Sequence, residues 1–352
     1  MPEAAADWTI GRLIEWTQKF FEKKGIPQPR LEAEILLAHV MGLERIALYM
    51  QYEQTVSDAQ RDHFRDLVKR RSEREPTRYL VGMGEFLSLA MKVTPACLIP
   101  RPETEQLVEE TLRLAGLRKR LLRALGPSEV DYKAVRPVEI NAAAPIDADG
   151  ATTSAPSAED AAEAASFFDT PSEEPAGLPQ VSVIELCTGC GCIAVSLAAN
   201  LPQAAVTASD ISAEALAVAR ENAEAHGVGD RITFLEGDLY APLDAADVQP
   251  ADFLLANPPY VAEAEWETLE AEIRLHEPRA ALVSGPKGTE IIERILKGAP
   301  AYLKAGGRLL VEIGSEQGPA VKALAAAVRG LADIEVMKDY SNHDRILVAR
   351  RV

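Results

Sequence analysis

From Val181 onward the chain alternates short apolar runs with helical stretches, and no other feature restricts its possible folds so tightly. The runs read as strands at Val181 to Leu186, Ala205 to Asp210, Ile232 to Gly237, Asp252 to Ala256, Gly307 to Gly314, Ile334 to Tyr340 and Arg345 to Ala349. Such alternation predicts a mostly parallel sheet with helices on both faces. Ligands of these sheets sit beyond the carboxyl ends of the strands, where the strand order reverses. The residues that close each strand are therefore the ones to read for chemistry.

Upstream the pattern is different. Apolar residues at three- and four-residue spacing predict helices at Trp8 to Lys24, Pro29 to Met41 and Ser57 to Arg74, with Ser57 as an N-cap and Pro76 as a stop. Residues 1–78 thus form a small helical domain. Tyr79 to Ile99 reads as a β-hairpin, so 79–100 is a linker, and a helix follows from Glu103 in a unit spanning 101–352. Between about 119 and 180 the chain turns to Ala, Pro, Ser, Asp and Glu, too poor in large apolar residues to offset its own entropy. We expect a disordered acidic insertion there, acting as a passive linker.

Nine acids and no Lys or Arg fall between Val138 and Gln180, so about half of the formal charge of −17 sits there. That balance argues against a partner held mainly through phosphates. The one basic cluster, Lys69, Arg70, Arg71 and Arg74, reads either as cations at a helix C-terminus or as an RNA contact, the first being favoured. No run of about 18 apolar residues and no leader-like start is present, which predicts a cytoplasmic protein with no membrane association. Cys97, Cys187, Cys190 and Cys192 do not resemble a secreted disulfide framework and should be reduced thiols. The Cys-x-x-Cys-x-Cys spacing invites a metal, but the five histidines show no ligand spacing, so no metal is expected.

Four strand ends carry candidate chemistry. Glu185-Leu186-Cys187-Thr188-Gly189-Cys190-Gly191 leads into a helix running to about Ala199; its small residues admit a close ligand, and the helix start offers free amides. By itself this loop indicates only a nucleotide-like ligand. Asp210 closes the second strand, where a carboxylate can accept from both ribose hydroxyls of an adenosine or cap the next helix, a task Ser212 can share. Asp238, before Leu239, can read an adenine edge or form a turn. The sharpest signal is Asn257-Pro258-Pro259-Tyr260 after the strand at Phe253 to Ala256. Consecutive prolines fix the backbone and remove two amide donors, freeing the Pro258 carbonyl as an acceptor. Asn257 adds a second acceptor and Tyr260 a flat face, together a clasp for the NH2 of a planar group.

This combination resembles the amino-nitrogen methyltransferases, and within them the HemK/PrmC family, protein-glutamine N5-methyltransferases that modify the Gly-Gly-Gln motif of peptide chain release factors. Glu34 to His39, Ile99 to Glu105, Glu277 to Leu282 and Val311 to Gly314 also resemble that family's usual text, so the likeness covers nearly the whole chain except the insertion. It implies a Rossmann-like, seven-stranded methyltransferase sheet, with the helical domain as the substrate-recognition unit. It implies S-adenosyl-L-methionine as methyl donor, S-adenosyl-L-homocysteine as product, release factors as partners in translation termination, no direct nucleic acid, and a monomer. Glu185, Cys187, Thr188, Gly189, Cys190, Gly191, Asp210, Asp238, Leu239 and Asn257 would contact the donor. Asn257, Pro258, Pro259 and Tyr260 would hold the glutamine, with Asn257, Pro258 and Tyr260 catalytic, and Arg101 and Glu103 would line or brace the cleft.

Three positions depart from the family's pattern: Glu185 where Asp is usual, Cys187 where Gly is usual, and Leu239 where Trp or Phe is frequent. If position 187 requires positive φ, a cysteine there is strained. Two rival readings follow from the same residues. An adenine-N6 nucleic-acid methyltransferase would use the tetrapeptide on a flipped base, but no basic target-recognition region is visible. A catalytically silent binding protein would keep only the fold.

Overall fold

The computed structural model describes residues 8–116 and 180–352. The insertion expected at 119–180 lies, apart from Gln180, outside the described residues. At the start, Thr9 caps α1 (Ile10–Lys24) by accepting from the Arg12 amide, and Gly25, at φ 64°, ends it. After α2 (Pro29–Met41) and the short α3 (Arg45–Met50), the Ser57/Gln60 capping box starts α4 (Asp58–Ser72), and Pro76 precedes α5 (Thr77–Val81). Helices α3 and α5 were not foreseen, because five or six residues are too few to display a helical period. Ile14, Phe21, Leu36, Leu37, Phe64 and Leu67 form the core of this layer.

The basic cluster is largely spent inside the fold. Arg70 binds Glu75 through two nitrogens, and Arg74 donates to the Lys24 and Gly25 carbonyls at the end of α1. Arg71, its side chain 3% exposed, donates to Glu32 at 2.7 Å and to Glu272 at 3.0 Å. These bonds favour the structural reading of the cluster over an RNA contact.

The hairpin is shorter than expected. Tyr79 belongs to α5, and only β1 (Met83–Phe86) and β2 (Leu89–Lys92) pair. Leu87 and Ser88 make the turn at φ 49° and 61°, a geometry usually left to Asn-Gly. The Leu87 amide is held by Glu105 at 2.8 Å, on the following α6 (Pro102–Leu114). Phe86, Met91 and Val93 enter the same core as Leu107 and Leu112 of α6, so the hairpin is packed along its length.

After the gap, β3 (Val181–Leu186), α7 (Cys192–Asn200), β4 (Ala204–Asp210), α8 (Ala213–Ala225), β5 (Ile232–Glu236), α9 (Ala241–Ala245) and β6 (Ala251–Ala256) alternate as expected. A two-strand appendage, β7 (Val261–Ala262) and β8 (Val283–Gly285), encloses α10 (Ala271–His276) in sequence. The chain closes with α11 (Glu290–Tyr302), β9 (Leu303–Glu312), α12 (Gly318–Ala326), β10 (Leu331–Lys338) and β11 (Asp344–Arg351). Strand β9 starts four residues before the expected Gly307 and ends two before Gly314, since its register with β6 shifts between Ala251 and Phe253 and admits the extra residues.

The main sheet has seven strands in the order β10-β11-β9-β6-β3-β4-β5. Strands β3, β4, β5, β6 and β9 pair in parallel, and β11 runs antiparallel between β9 and β10. Alternate residues of the central strands serve opposite cores. Val183, Phe253, Leu255 and Leu310 meet α6, α7 and α8 on one face. Ile184, Leu254, Leu309 and Val311 meet α11 and α12 on the other. Both faces being covered explains why these strands read as continuous apolar runs. The order reverses at β3, which places the crevice at its carboxyl end.

Asn222 of α8, 1% exposed, fastens the hairpin to this frame. Its oxygen accepts from the Lys92 amide at 2.7 Å, and its nitrogen donates to the Lys92 and Cys190 carbonyls at 3.0 and 2.9 Å. Asn222→Ala leaves three backbone groups unpaired and should destabilise the fold by about 3 kcal/mol in chemical denaturation. A loss below about 0.5 kcal/mol would show that the hairpin is held by apolar packing alone.

Candidate active site

A cavity of about 590 Å³ opens at the carboxyl ends of β3, β4 and β6, a size suited to a small-molecule ligand. The loop after β3 contributes Cys187, Thr188, Gly189 and Cys190 to its wall. Cys187 sits at φ 60° and Gly189 at φ 57°, so a cysteine does occupy a left-handed position here, at a cost of about 1–2 kcal/mol. Gly191, at φ 80°, lies off the cavity; a Cβ there would come within 2.9 Å of the Ala219 Cβ, so its bareness lets α7 and α8 approach.

Asp210 lines the cavity and also braces the loop. One oxygen accepts from the Gly189 amide at 2.8 Å and the other from the Ser212 amide at 2.9 Å. Ser212, not Asp210, caps α8, its hydroxyl accepting from the Ala215 amide. Burial raises the Asp210 pKa, against the pull of these amides. Further along the wall, the exposed Asp238 is paired with Arg294 at 2.6 Å, and Leu239, 7% exposed and at φ 49°, turns its side chain into the core beside the cavity. Arg294 gave no signal in the sequence, since it lies mid-helix in α11, 56 residues away.

Glu185 does not reach the cavity. It is fully buried beneath the loop, with neither carboxylate oxygen hydrogen-bonded in the geometry described. Burial pushes it up to about 8, with the Thr188 side chain and Ala194 amide favouring the charged form and Asp210 opposing it.

Arg101, Thr104, Asn257 and Pro259 also line the cavity, whereas Pro258 and Tyr260 do not. Arg101 is held by Glu277, which also accepts from the Ile99 amide, so the segment before α6 and the one after α10 are joined behind the cavity. The Asn257 nitrogen donates to the Thr104 hydroxyl at 3.1 Å, which leaves its oxygen for the cavity side. Pro258 is buried, and its carbonyl accepts no hydrogen bond from the described residues. Tyr260 is half-buried against the second core: its hydroxyl lies 3.4 Å from Glu312, and its carbonyl accepts from Gln317 at 2.8 Å. Glu103 is exposed at the start of α6 and does not line the cavity.

Thr104 and Glu312 were not singled out in the sequence. Both are 1% exposed; Thr104 lines the cavity beside Asn257, and Glu312 lies against Tyr260. An available signal was that Glu312 closes an apolar strand, as Asp210 does. Among the described residues no cluster of His, Cys, Asp or Glu has the form of a metal site, and no helix is long and apolar enough to cross a membrane.

The Glu185 carboxyl gives a pH prediction. Folded, it keeps its proton up to about pH 8; unfolded, it loses it near the ordinary 4.5. The folded state therefore binds the extra proton across that window, and stability falls as pH rises through it. Glu185→Gln has no such proton to lose. Its melting temperature should exceed that of the natural protein at about pH 8.5, the gain shrinking toward about pH 5, as read by thermal unfolding at fixed ionic strength. A pH-independent difference would mean that Glu185 is charged in the fold.

Comparison with known proteins agrees with this architecture. Residues 12–82 match the PrmC N-terminal domain, and residues 173–288 match the methyltransferase small domain. A release factor glutamine methyltransferase of Rhodopirellula baltica is 37% identical over 349 residues, spanning 99% of this chain and 98% of its own. Those of Chlorobaculum tepidum and Moorella thermoacetica are each 37% identical, spanning 98% of both chains and 93% of both chains respectively. With relatives this similar along almost their full length, the chain belongs to the release factor glutamine methyltransferase family.

Proposed function

We propose that this enzyme moves a methyl group from S-adenosyl-L-methionine to the side-chain nitrogen, N5, of the glutamine in the Gly-Gly-Gln motif of release factors. The observation that carries the reading is the orientation of Asn257: its nitrogen is committed to Thr104, so its oxygen is the group offered to a substrate NH2. The Pro258 carbonyl beside it, buried and accepting no hydrogen bond from the described residues, would be the second acceptor.

The residues fit the donor. Asp210 lines the cavity with one amide on each oxygen, leaving lone pairs for ribose hydroxyls, while Cys187–Cys190 and Asp238–Leu239 flank the rest. When bound, S-adenosyl-L-methionine supplies a methyl group on a sulfonium sulfur, and S-adenosyl-L-homocysteine is its product. An amide nitrogen is a poor nucleophile because its lone pair is delocalised into the carbonyl, so positioning must do most of the work. In this reading Asn257 and Pro258 orient the nitrogen toward the methyl group and stabilise the positive charge that grows on it. Pro259 keeps the turn rigid, Tyr260 is fixed by Glu312 and Gln317, and Arg101, held by Glu277, lines the approach. The proton leaves to water.

Residues 1–78 would recognise the release factor, a reading supported by the match at 12–82, with 79–100 joining them to the methyltransferase domain at 101–352, interrupted at about 119–180. On this reading the protein works as a monomer in the cytoplasm, where translation terminates.

The test is methyl transfer from labelled donor to a bacterial release factor, beside its Gln-to-Ala variant and duplex DNA. We expect label on the intact factor alone, and a kcat lowered by about 10²–10³ in Asn257→Ala. Label on DNA instead would favour adenine methylation; donor binding without label anywhere would favour a silent fold.

A further inference from the structure

We infer that Arg294 is a positioning residue that holds the Asp238 carboxylate ready for the 6-amino group of the donor's adenine, so that the pair decides which base the cavity accepts. The inference rests on the donor reading above and names the groups that would recognise the base.

The order of the strand ends sets where each part of such a donor can lie. Along the sheet, β6, β3, β4 and β5 are consecutive neighbours. Asn257 follows β6, the loop from Cys187 follows β3, Asp210 closes β4, and Asp238 stands two residues beyond the end of β5. Neighbouring strands lie about 4.8 Å apart, so the three spacings from β6 to β5 span about 14 Å. With the reacting end at Asn257 and the ribose on Asp210, the base is carried one strand further, to the end of β5. The Gly237 amide donates to the Asp210 carbonyl at 2.9 Å and ties those two strand ends together.

At that end apolar and charged residues do different work. Ile211, 67% exposed, and Ile291 of α11 line the cavity and can cover the faces of a base, but an apolar surface fits one base as well as another. Reading an edge takes a polar group with a fixed direction. Asp238 and Arg294 both line the cavity. Arg294, one helical turn after Ile291, donates from Nη2 to Asp238 Oδ2 at 2.6 Å, and no described residue donates to Oδ1. One carboxylate oxygen is therefore engaged, and the other is free for an NH2.

The side chains of the pair are half open, 50% exposed for Arg294 and 49% for Asp238. An ion pair that open contributes little to stability, because water and salt screen it. What it supplies is direction. Alone, an exposed aspartate turns among its rotamers, and a ligand must arrest it on binding. The guanidinium, planar and always charged, fixes the carboxylate in advance. A purine with a 6-amino group then meets an acceptor already in place, whereas one without it leaves that acceptor unpaired.

The test is calorimetric titration with S-adenosyl-L-homocysteine, and with its analogue lacking the purine 6-amino group, on the natural protein, Arg294→Met and Asp238→Ala. The natural protein should bind the adenine ligand about 30-fold more tightly than the analogue, as one hydrogen bond to a charged acceptor implies. Arg294→Met should bind the adenine ligand about fivefold more weakly and the analogue as the natural protein does, so the preference falls to about sixfold. Asp238→Ala should bind both ligands alike. Thermal unfolding identifies the folded variants, and Arg294→Ala replaces Arg294→Met if the latter does not fold. A folded variant at position 294 that keeps the natural preference, or that weakens both ligands by the same factor, overturns the inference. So does a natural protein that binds both ligands alike. Failure of the natural protein to bind S-adenosyl-L-homocysteine would instead sink the donor reading itself.

Discussion

The Asp210 carboxylate divides its two oxygens between the backbone of the loop after β3 and the backbone that opens α8, and the cavity wall depends on that division. A side chain at the end of one strand thereby sets the path of the loop that follows its neighbour. The loop in turn presents the Thr188 amide to the Ser209 carbonyl, closing a second tie between the same two strand ends. Charge-assisted bonds of this kind are among the stronger ones a protein makes, and here they hold a segment whose own backbone angles are unfavourable.

The site's carboxyl groups are sorted by depth. Asp210 faces the cavity and is hydrogen-bonded by amides; Asp238 is exposed and paired with Arg294; Glu185 and Glu312 are buried, and both are pushed up toward neutrality. Acids held close to the point of ionisation in a low-dielectric interior respond to small changes nearby, whereas the exposed one is screened.

Much of this was legible in the sequence. Doubly covered strands leave continuous apolar runs, and strand ends carrying Asp210, Asp238 and Asn257 stand out against them, so the sheet and the cavity's main walls follow from pattern. Three kinds of feature did not. Helices α3 and α5 are too short to show a period. The turn at Leu87 and Ser88 lacks turn-forming residues, and its stability comes from Glu105, eighteen positions on. Thr104, Arg294 and Glu312 matter through partners 153, 56 and 52 residues distant, and no local rule connects such pairs. Glu185 shows the opposite failing: its place in a motif suggested contact with a ligand, while its longer arm is folded away beneath the loop.

Cys187 and Leu239 both carry a side chain where the backbone is left-handed, and both line the cavity. Glycine at either position would relax the native geometry, but it would also roam more widely before folding and after any local opening. A Cβ atom narrows that roaming. The cavity wall is therefore stiffened in advance at these two points, and a ligand that settles against it has less motion left to arrest, so more of its contact energy remains as affinity.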